Sequence, residues 1–145
     1  MRKILFAGFT LIALMTSCGG GMTTTTYKAS LFGVNEVPPV TTNSNMKADA
    51  TATLDLSTSV LTVSGTYSYL TGPVTARHIR GPAGAGTIAP IVFTLNDTAT
   101  PAQGSFSGSF TLSASQITDL NSGAYYINLE TAANPSGEVR GQLIK

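Results

Sequence analysis

The fold of this chain is decided by ADATATLDL, residues 48–56, in which every even-numbered residue is apolar and every odd-numbered residue is Asp or Thr. Side chains alternate between the two faces of a β-strand, so this pattern predicts a strand with one buried face and one face in water. Ser57–Ser59 supplies a turn, and VLTVSGTY at residues 60–67 repeats the alternation. The two stretches together predict a β-hairpin.

Similar short stretches occupy most of the chain after Tyr27, and helical periodicity is nearly absent. They predict further strands at Tyr27–Phe32, Val74–Ile79, Ile91–Leu95, Gly104–Leu112, Tyr125–Glu130 and Glu138–Ile144. One short helix is predicted from Ser113 to Leu120, because Ser113 and Gln116 have the spacing of a capping box. The sequence therefore predicts an all-β fold, an antiparallel Greek-key-like β-sandwich with one short helix near the C-terminal third.

The first residues have the features of an export signal. Arg2 and Lys3 precede an apolar segment, Ile4–Met15, that is too short to span a bilayer, and small residues lead to Cys18. The pattern resembles the bacterial lipobox, in which cleavage leaves a lipidated cysteine as the new N-terminus. This resemblance implies a lipoprotein signal peptide at residues 1–17 and membrane attachment through Cys18. The alternative is an ordinary secretory signal with a free thiol near the cleavage site.

The rest of the chain divides into a short tether and one domain. Residues 18–26 are rich in Gly and Thr and lack any hydrophobic period, which is typical of a linker. Residues 27–145 have the length and apolar content of one domain. The predicted location is extracytoplasmic. Gly19 is not the Asp that retains lipoproteins at the inner membrane, so for a Gram-negative host we predict attachment to the outer membrane.

Charge and cysteine content narrow the function further. The chain has 8 Lys+Arg and 7 Asp+Glu, and loss of Arg2 and Lys3 with the signal peptide leaves a formal net charge of −1. Lysines and arginines do not cluster with aromatic residues, so we expect no nucleic acid as partner. Cys18 is the one cysteine of the sequence, which rules out an intrachain disulfide.

Three separated motifs carry a family resemblance. NEVPPV at residues 35–40, ARHIRGPAG at residues 76–84 and AANPSGEVRGQL at residues 132–143 resemble the CHRD domain in the same order. That domain is named after chordin, an extracellular antagonist of bone morphogenetic proteins, and also occurs alone in bacterial secreted proteins. The resemblance covers Tyr27 to Ile144 and implies a β-sandwich of immunoglobulin-like or superoxide-dismutase-like shape. It implies little about activity.

The resemblance also raises the question of a metal. Bacterial relatives typically carry His-Ile-His in the middle motif and a further His in the strand that contains Glu130, an arrangement suited to zinc or copper. This chain has Arg80 and Glu130 at those positions, and His78 is its one histidine. We therefore expect no cofactor. The alternative is a copper or zinc site in which His78 acts with Glu130 and a carboxylate such as Glu36.

Arg80 and Glu130 instead favour an ion pair at the positions where relatives carry histidines, because a guanidinium and a carboxylate can form two parallel hydrogen bonds. Two unrelated surface charges are the alternative. Glu138 and Arg140 share one face of the last predicted strand. Near the start of the domain, Pro38-Pro39 predicts an extended edge or a loop at Glu36–Val40. Glu36 is expected to accept a hydrogen bond from a neighbouring Arg. The predicted binding or structural cluster consists of Glu36, His78, Arg80, Glu130, Glu138 and Arg140.

Catalysis finds little support in the sequence. No nucleophile-elbow motif is present, and the carboxylates are scattered along the chain. We therefore expect no catalytic residues and no enzyme. The predicted function is a lipid-anchored, cell-envelope binding or structural module with an unknown protein or polysaccharide ligand. Metal binding, and adhesion through a sheet edge at Glu36–Val40, are the competing functions.

Overall fold

The structure, a computed structural model, describes residues 23–100 and 103–145. In these ranges the backbone forms nine strands, a short 3-10 turn at Gly33–Asn35 and one α-helix. The strands are Thr24–Ser30 (β1), Lys47–Asp55 (β2), Val60–Ser68 (β3), Val74–Arg80 (β4), Ile91–Thr94 (β5), Asn96–Thr100 (β6), Gln103–Thr111 (β7), Tyr126–Thr131 (β8) and Val139–Gln142 (β9), and the helix is Ala114–Asn121 (α1). The predicted signal peptide and Cys18 lie outside the described residues.

The strands form two antiparallel sheets. The five-stranded sheet has the order β1-β2-β3-β7-β6, and the four-stranded sheet has the order β5-β4-β8-β9. Pairing of β3 with β7 and of β4 with β8 makes neighbours of strands that are distant in the chain, as in Greek-key sandwiches. The predicted all-β sandwich with one short helix is confirmed.

The hairpin predicted from residues 48–67 is present. Ala52 pairs with Val63 and Leu54 with Leu61, and all four side chains are buried. Leu56 differs from the prediction, because β2 ends at Asp55 and Leu56 is 51% exposed. The Asp55 carboxylate accepts hydrogen bonds from the backbone and hydroxyl of Ser57, which turns the chain one residue earlier than the apolar pattern predicts.

The strand boundaries differ from the predictions at two further places. Thr24–Thr26, assigned to the tether, belong to β1 and pair with β2 at Asp55 through Thr53. The strand predicted at Ile91–Leu95 continues after Leu95 into β6, which pairs with β7 in the other sheet. Leu95 is 2% exposed at this crossing between the sheets. The polar sequence of β6 carries no alternation that would have predicted a strand.

Helix α1 joins β7 to β8 and has the predicted capping box. Ser113 Oγ accepts from the Gln116 backbone amide, and the Gln116 side chain accepts from the Ser113 amide. Leu120 is fully buried, and Asn121 accepts a hydrogen bond of 2.8 Å from the Tyr27 hydroxyl. Among the described residues no helix is long and apolar enough to cross a membrane.

The two sheets bury one apolar core and expose two different outer faces. The core includes Tyr27, Leu54, Leu61 and Phe106 from one sheet and Ile79, Ile127, Leu129 and Val139 from the other. On the outer face of the five-stranded sheet, cross-strand rows such as Thr53, Thr62 and Ser109 present hydroxyl groups. The charged side chains of the predicted cluster lie mainly on the outer face of the four-stranded sheet.

Candidate functional site

Cross-strand pairing aligns polar side chains on the outer face of the four-stranded sheet. His78 of β4 lies opposite Asn128 of β8, which in turn lies opposite Arg140 of β9. Arg80, two residues after His78 in β4, lies opposite Tyr126, two residues before Asn128 in β8. Because residues two apart share a face, these side chains all point away from the core. We define the outer polar cluster as Glu36, His78, Arg80, Asn128, Glu130 and Arg140.

Arg80, Glu130 and His78 form a triplet of contacting polar side chains. Arg80 Nη2 donates to Glu130 Oε1 over 2.7 Å, and His78 Nδ1 lies 3.1 Å from the same oxygen. The side chains of Arg80 and Glu130 are 19% and 13% exposed, so the pair is largely removed from water. The predicted ion pair is therefore present, but through one hydrogen bond and not the two parallel bonds expected, and His78 contacts the same carboxylate oxygen.

Glu36 and Asn128 form the buried part of the cluster. Glu36 follows the 3-10 turn at Gly33–Asn35, is 6% exposed and accepts a hydrogen bond of 2.9 Å from Asn128 Nδ2. Burial raises the pKa of Glu36 to about 7, although Arg140, the Asn128 hydrogen bond and Arg80 all act to lower it. Near neutral pH the Glu36 carboxyl group can therefore donate a hydrogen bond when it is protonated and accept one when it is ionised.

Arg140 closes the other side of the cluster. Its guanidinium carbon lies 3.4 Å from the centre of the Tyr126 ring, a cation–π contact. Arg140 Nη2 donates to the Gly84 carbonyl and to Gln142 Oε1. The side chain is 2% exposed, and its contacts attach the loop around Gly84 to the sheet.

A cleft of about 300 Å³ opens beside these side chains. Its polar wall consists of Glu36, Arg80, Tyr126, Asn128, Glu130, Ser136 and Arg140, and its apolar wall consists of Val37, Ile88 and Pro135. A second cavity of about 460 Å³ adjoins it, and Glu36, Val37 and Arg140 line both. We call the first of these spaces the polar cleft.

Two buried atoms at the polar cleft lack partners among the described residues. They are Asn128 Oδ1 and Arg80 Nε. Asn128 is 2% exposed, so its side-chain oxygen has no ready access to bulk water. Buried polar atoms are nearly always hydrogen-bonded in folded proteins, so an unpaired donor and an unpaired acceptor on two residues that line one cleft show that the cluster does not satisfy all of its own polar atoms.

A glycine is required where the loop after β8 covers the cluster. Gly137 has φ +136°, and a Cβ at this position would collide with the Asn128 amide and the Glu36 carboxylate. The turn at residues 134–137 can therefore approach the buried pair only because residue 137 has no side chain.

Glu138 is not part of the outer polar cluster, contrary to the prediction. It precedes β9, is fully buried, and accepts hydrogen bonds from the Thr71 amide (2.8 Å), the Thr71 hydroxyl (2.6 Å) and the Thr131 hydroxyl (2.7 Å). These bonds tie the loop between β3 and β4 to the end of β8. Glu138 therefore has a structural role, because its carboxylate is saturated by neighbouring donors.

The segment Glu36–Val40 is a loop over the four-stranded sheet and not a sheet edge. Glu36 accepts from Asn128 and makes no direct hydrogen bond to an arginine, which corrects the predicted partner. Sequence reasoning missed Asn128. The sequence did contain a signal for it, because Asn128 interrupts the otherwise apolar run Tyr125–Leu129 and Asn is depleted in central strands.

The alternative metal site is not assembled as predicted. His78 Nδ1 contacts Glu130, but the described residues contain no group of three or more His, Cys, Asp or Glu side chains that could hold a metal ion. Glu36 contacts Asn128 and does not join His78 and Glu130 in such a group. What the arrangement provides chemically is a set of hydrogen-bond donors and acceptors around a partly enclosed space.

Comparison with known proteins gives one match. A family model of the CHRD domain matches residues 27–143, which run from within β1 to just beyond β9. No curated protein and no solved structure matches the chain. The matched range contains the whole outer polar cluster and nearly the whole sandwich. On this match, the chain belongs to the CHRD domain family.

Proposed function

We propose that this protein is a lipid-anchored, extracytoplasmic binding module without catalytic activity, and that the polar cleft is its binding site. A CHRD domain indicates a small binding or structural module. The proposal chooses binding because the cleft combines buried charges, an open space and unpaired polar atoms. A purely structural cluster would be expected to satisfy its own donors and acceptors, as Glu138 does.

One observation carries the proposal. Asn128 Oδ1 and Arg80 Nε are buried beside the same cleft and are unpaired among the described residues. Leaving such a group unsatisfied costs about 1–3 kcal/mol. A ligand that enters the cleft and reorients these two side chains can supply one donor and one acceptor and recover this free energy on binding.

Fragment mapping by NMR tests the proposed site. Amide shifts of ¹⁵N-labelled protein are recorded against a library of small polar fragments, for wild type, Ile88→Trp and Leu56→Trp. Ile88 is 66% exposed on the wall of the cleft, so Trp there should block the space without disturbing the core. Leu56, 51% exposed at the β2–β3 turn, is the matched control.

We expect fragment-induced shifts to concentrate at Arg80, Asn128 and Arg140, to disappear in Ile88→Trp and to persist in Leu56→Trp. Shifts spread evenly over both sheets, or unchanged by Ile88→Trp, would show that the cleft is not the binding site.

The competing function is metal binding, which the contact of 3.1 Å between His78 Nδ1 and Glu130 Oε1 favours. Titration of the purified protein with zinc and copper salts, followed by calorimetry, separates the two functions. Stoichiometric, tight binding that is lost in His78→Ala would replace the proposal with a metal-binding function. Weak binding that His78→Ala leaves unchanged would support the proposal.

A further inference from the structure

The polar cleft carries equal numbers of basic and acidic side chains. Arg80 and Arg140 face Glu36 and Glu130, and all four line the same space. An anion entering the cleft meets two carboxylates, and a cation meets two guanidinium groups. The four charges balance when Glu36 is ionised, so above pH 7 electrostatic complementarity favours a ligand without net charge.

The guanidinium groups are partly engaged within the protein. Arg140 stacks on Tyr126, and its Nη2 donates to the Gly84 carbonyl and to Gln142. Arg80 donates through Nη2 to Glu130 and through Nη1 to the Ala89 carbonyl. Recognition of a carboxylate or a phosphate by arginine typically uses two parallel N–H groups. Arg80 uses two of its five N–H groups in these bonds, and the three that remain, including the buried Nε–H, each suit a hydroxyl oxygen.

The unfilled acceptors require a ligand that also donates. Asn128 Oδ1 is buried without a partner, and neither Oε2 of Glu36 nor Oε2 of Glu130 accepts a hydrogen bond from the described residues. A hydroxyl group donates and accepts at once, so a ligand with several hydroxyls can meet Arg80 Nε and these oxygens together.

From this juxtaposition we infer that the polar cleft binds a neutral saccharide, whose hydroxyls pair with Asn128, Glu36 and Arg80. The apolar wall of Val37, Ile88 and Pro135 offers contact to the C–H groups of a sugar ring. The volume of about 300 Å³, with the adjoining cavity, lies in the range of small-molecule pockets and suits one or two rings. This inference rests on the proposed function that the cleft is a binding site.

NMR titration with defined sugars tests the ligand class. The probes are glucose, galactose, mannose, N-acetylglucosamine and lactose, with the zwitterion alanine and inorganic phosphate as charged comparisons. We expect at least one sugar to shift the amides of residues 126–130 saturably, while alanine and phosphate do not. Ile88→Trp should abolish the shifts, and Leu56→Trp should change the affinity by less than about twofold.

A second variant pair tests the named contacts. Asn128→Ser removes the buried amide oxygen and should weaken sugar binding about tenfold. Asn45→Ser, at an exposed residue that does not line the cleft, should leave the affinity for the sugar unchanged. The amide spectrum of each free variant shows whether it is folded, so a loss of binding is separated from a loss of structure.

The outcomes distinguish this inference from the proposed function. If polar fragments bind the cleft but no sugar does, the saccharide assignment is wrong and the binding site stands. If phosphate binds and no sugar does, the charge argument is wrong. If alanine binds and no sugar does, the cleft recognises an ammonium and a carboxylate, and the saccharide assignment is wrong. If neither fragments nor sugars bind at the cleft, both proposals are overturned. Sugar binding that survives Ile88→Trp would place the ligand elsewhere and also overturn the inference.

Discussion

Glu36 couples the outer polar cluster to pH. Its carboxylate is 6% exposed, and burial raises its pKa to about 7 from an ordinary value of 4.5. A carboxyl group whose pKa is higher in the folded state binds its proton more tightly there than in the unfolded chain. Its contribution to stability is therefore complete below pH 4.5 and is lost as the pH rises through 7.

Replacement by glutamine tests this coupling. Between pH 5 and pH 8 the Glu36 carboxyl should lower the free energy of unfolding of the wild type by about 3 kcal/mol, and Glu36→Gln should lose this pH dependence. Urea denaturation of both proteins at pH 5 and pH 8 measures the change in the free energy of unfolding. Subtracting the change in the variant from that in the wild type removes the contributions of the other carboxylates. Equal pH dependence in the two proteins would contradict the raised pKa.

The Arg80–Glu130 ion pair should show energetic coupling. Both side chains are mostly buried, so removal of one leaves the other charge without its partner. We expect Arg80→Ala and Glu130→Ala each to lower the free energy of unfolding by about 2 kcal/mol, and the double variant to lose at least about 1 kcal/mol less than the sum.

Arg80→Ala combined with Asp49→Ala provides the control for this cycle, because Asp49 lies on the other sheet. That pair should be additive. Additive losses for Arg80 and Glu130 as well would mean that the observed contact contributes no coupling.

At the scale of single residues, sequence reasoning found the charges but not all of their partners. Arg80 and Glu130 were predicted to pair because they occupy two positions at which relatives typically carry histidines, and a guanidinium and a carboxylate attract each other. Asn128 was missed because its role depends on a loop, 92 residues distant in the chain, that places Glu36 above it. Glu138 was misassigned because the amide and hydroxyl of Thr71, in a distant loop, and the hydroxyl of Thr131, at the end of β8, saturate it, and no local pattern encodes these contacts.

Among the elements, α1 offers the simplest test of a local signal. Its capping box satisfies two backbone groups at the helix start, so Ser113→Ala should lower the free energy of unfolding by about 1 kcal/mol. Ser109→Ala, at an exposed position of β7, should change it by less than about 0.5 kcal/mol. Equal effects of the two substitutions in urea denaturation would show that the cap does not stabilise the domain.

Elements with strong alternation or a capping signal were predictable, and those defined by their partners were not. The β2–β3 hairpin and α1 follow directly from residue types at fixed spacing. In contrast, Thr24–Thr26 join β1 because β2 extends to Asp55 and offers them a partner strand. Strand β6 forms because β7 presents an edge for pairing, although its own sequence is polar. Pairing of this kind is a property of the sheet and not of the segment.

For the whole molecule, membrane attachment through Cys18 stays a prediction, since that residue lies outside the described ranges. We expect wild-type protein expressed in a bacterial host to incorporate an alkyne analogue of palmitate and to enter the detergent phase on Triton X-114 partition. Cys18→Ala should lose the label and move to the aqueous phase. Unlabelled wild type, or a labelled variant, would contradict the anchor.

The two faces of the sandwich differ in chemistry. The five-stranded sheet presents hydroxyls together with exposed charges such as Lys28 and Asp49, whereas the four-stranded sheet carries a buried, partly unpaired charged cluster beside a cleft. Burying such groups contributes little to folding stability, because apolar side chains of similar size usually do as well. The central claim is therefore that the outer polar cluster serves recognition and not stability.

Replacement of the Glu36–Asn128 pair by leucines tests this claim most directly, with unfolding measured in urea at pH 7. Each single variant should lose about 1–3 kcal/mol, because it leaves the other polar group buried without a partner. The account predicts that Glu36→Leu/Asn128→Leu recovers to within about 1 kcal/mol of wild type, yet no longer binds fragments at the cleft. A double variant that is less stable than either single variant would contradict it and identify the cluster as a structural element.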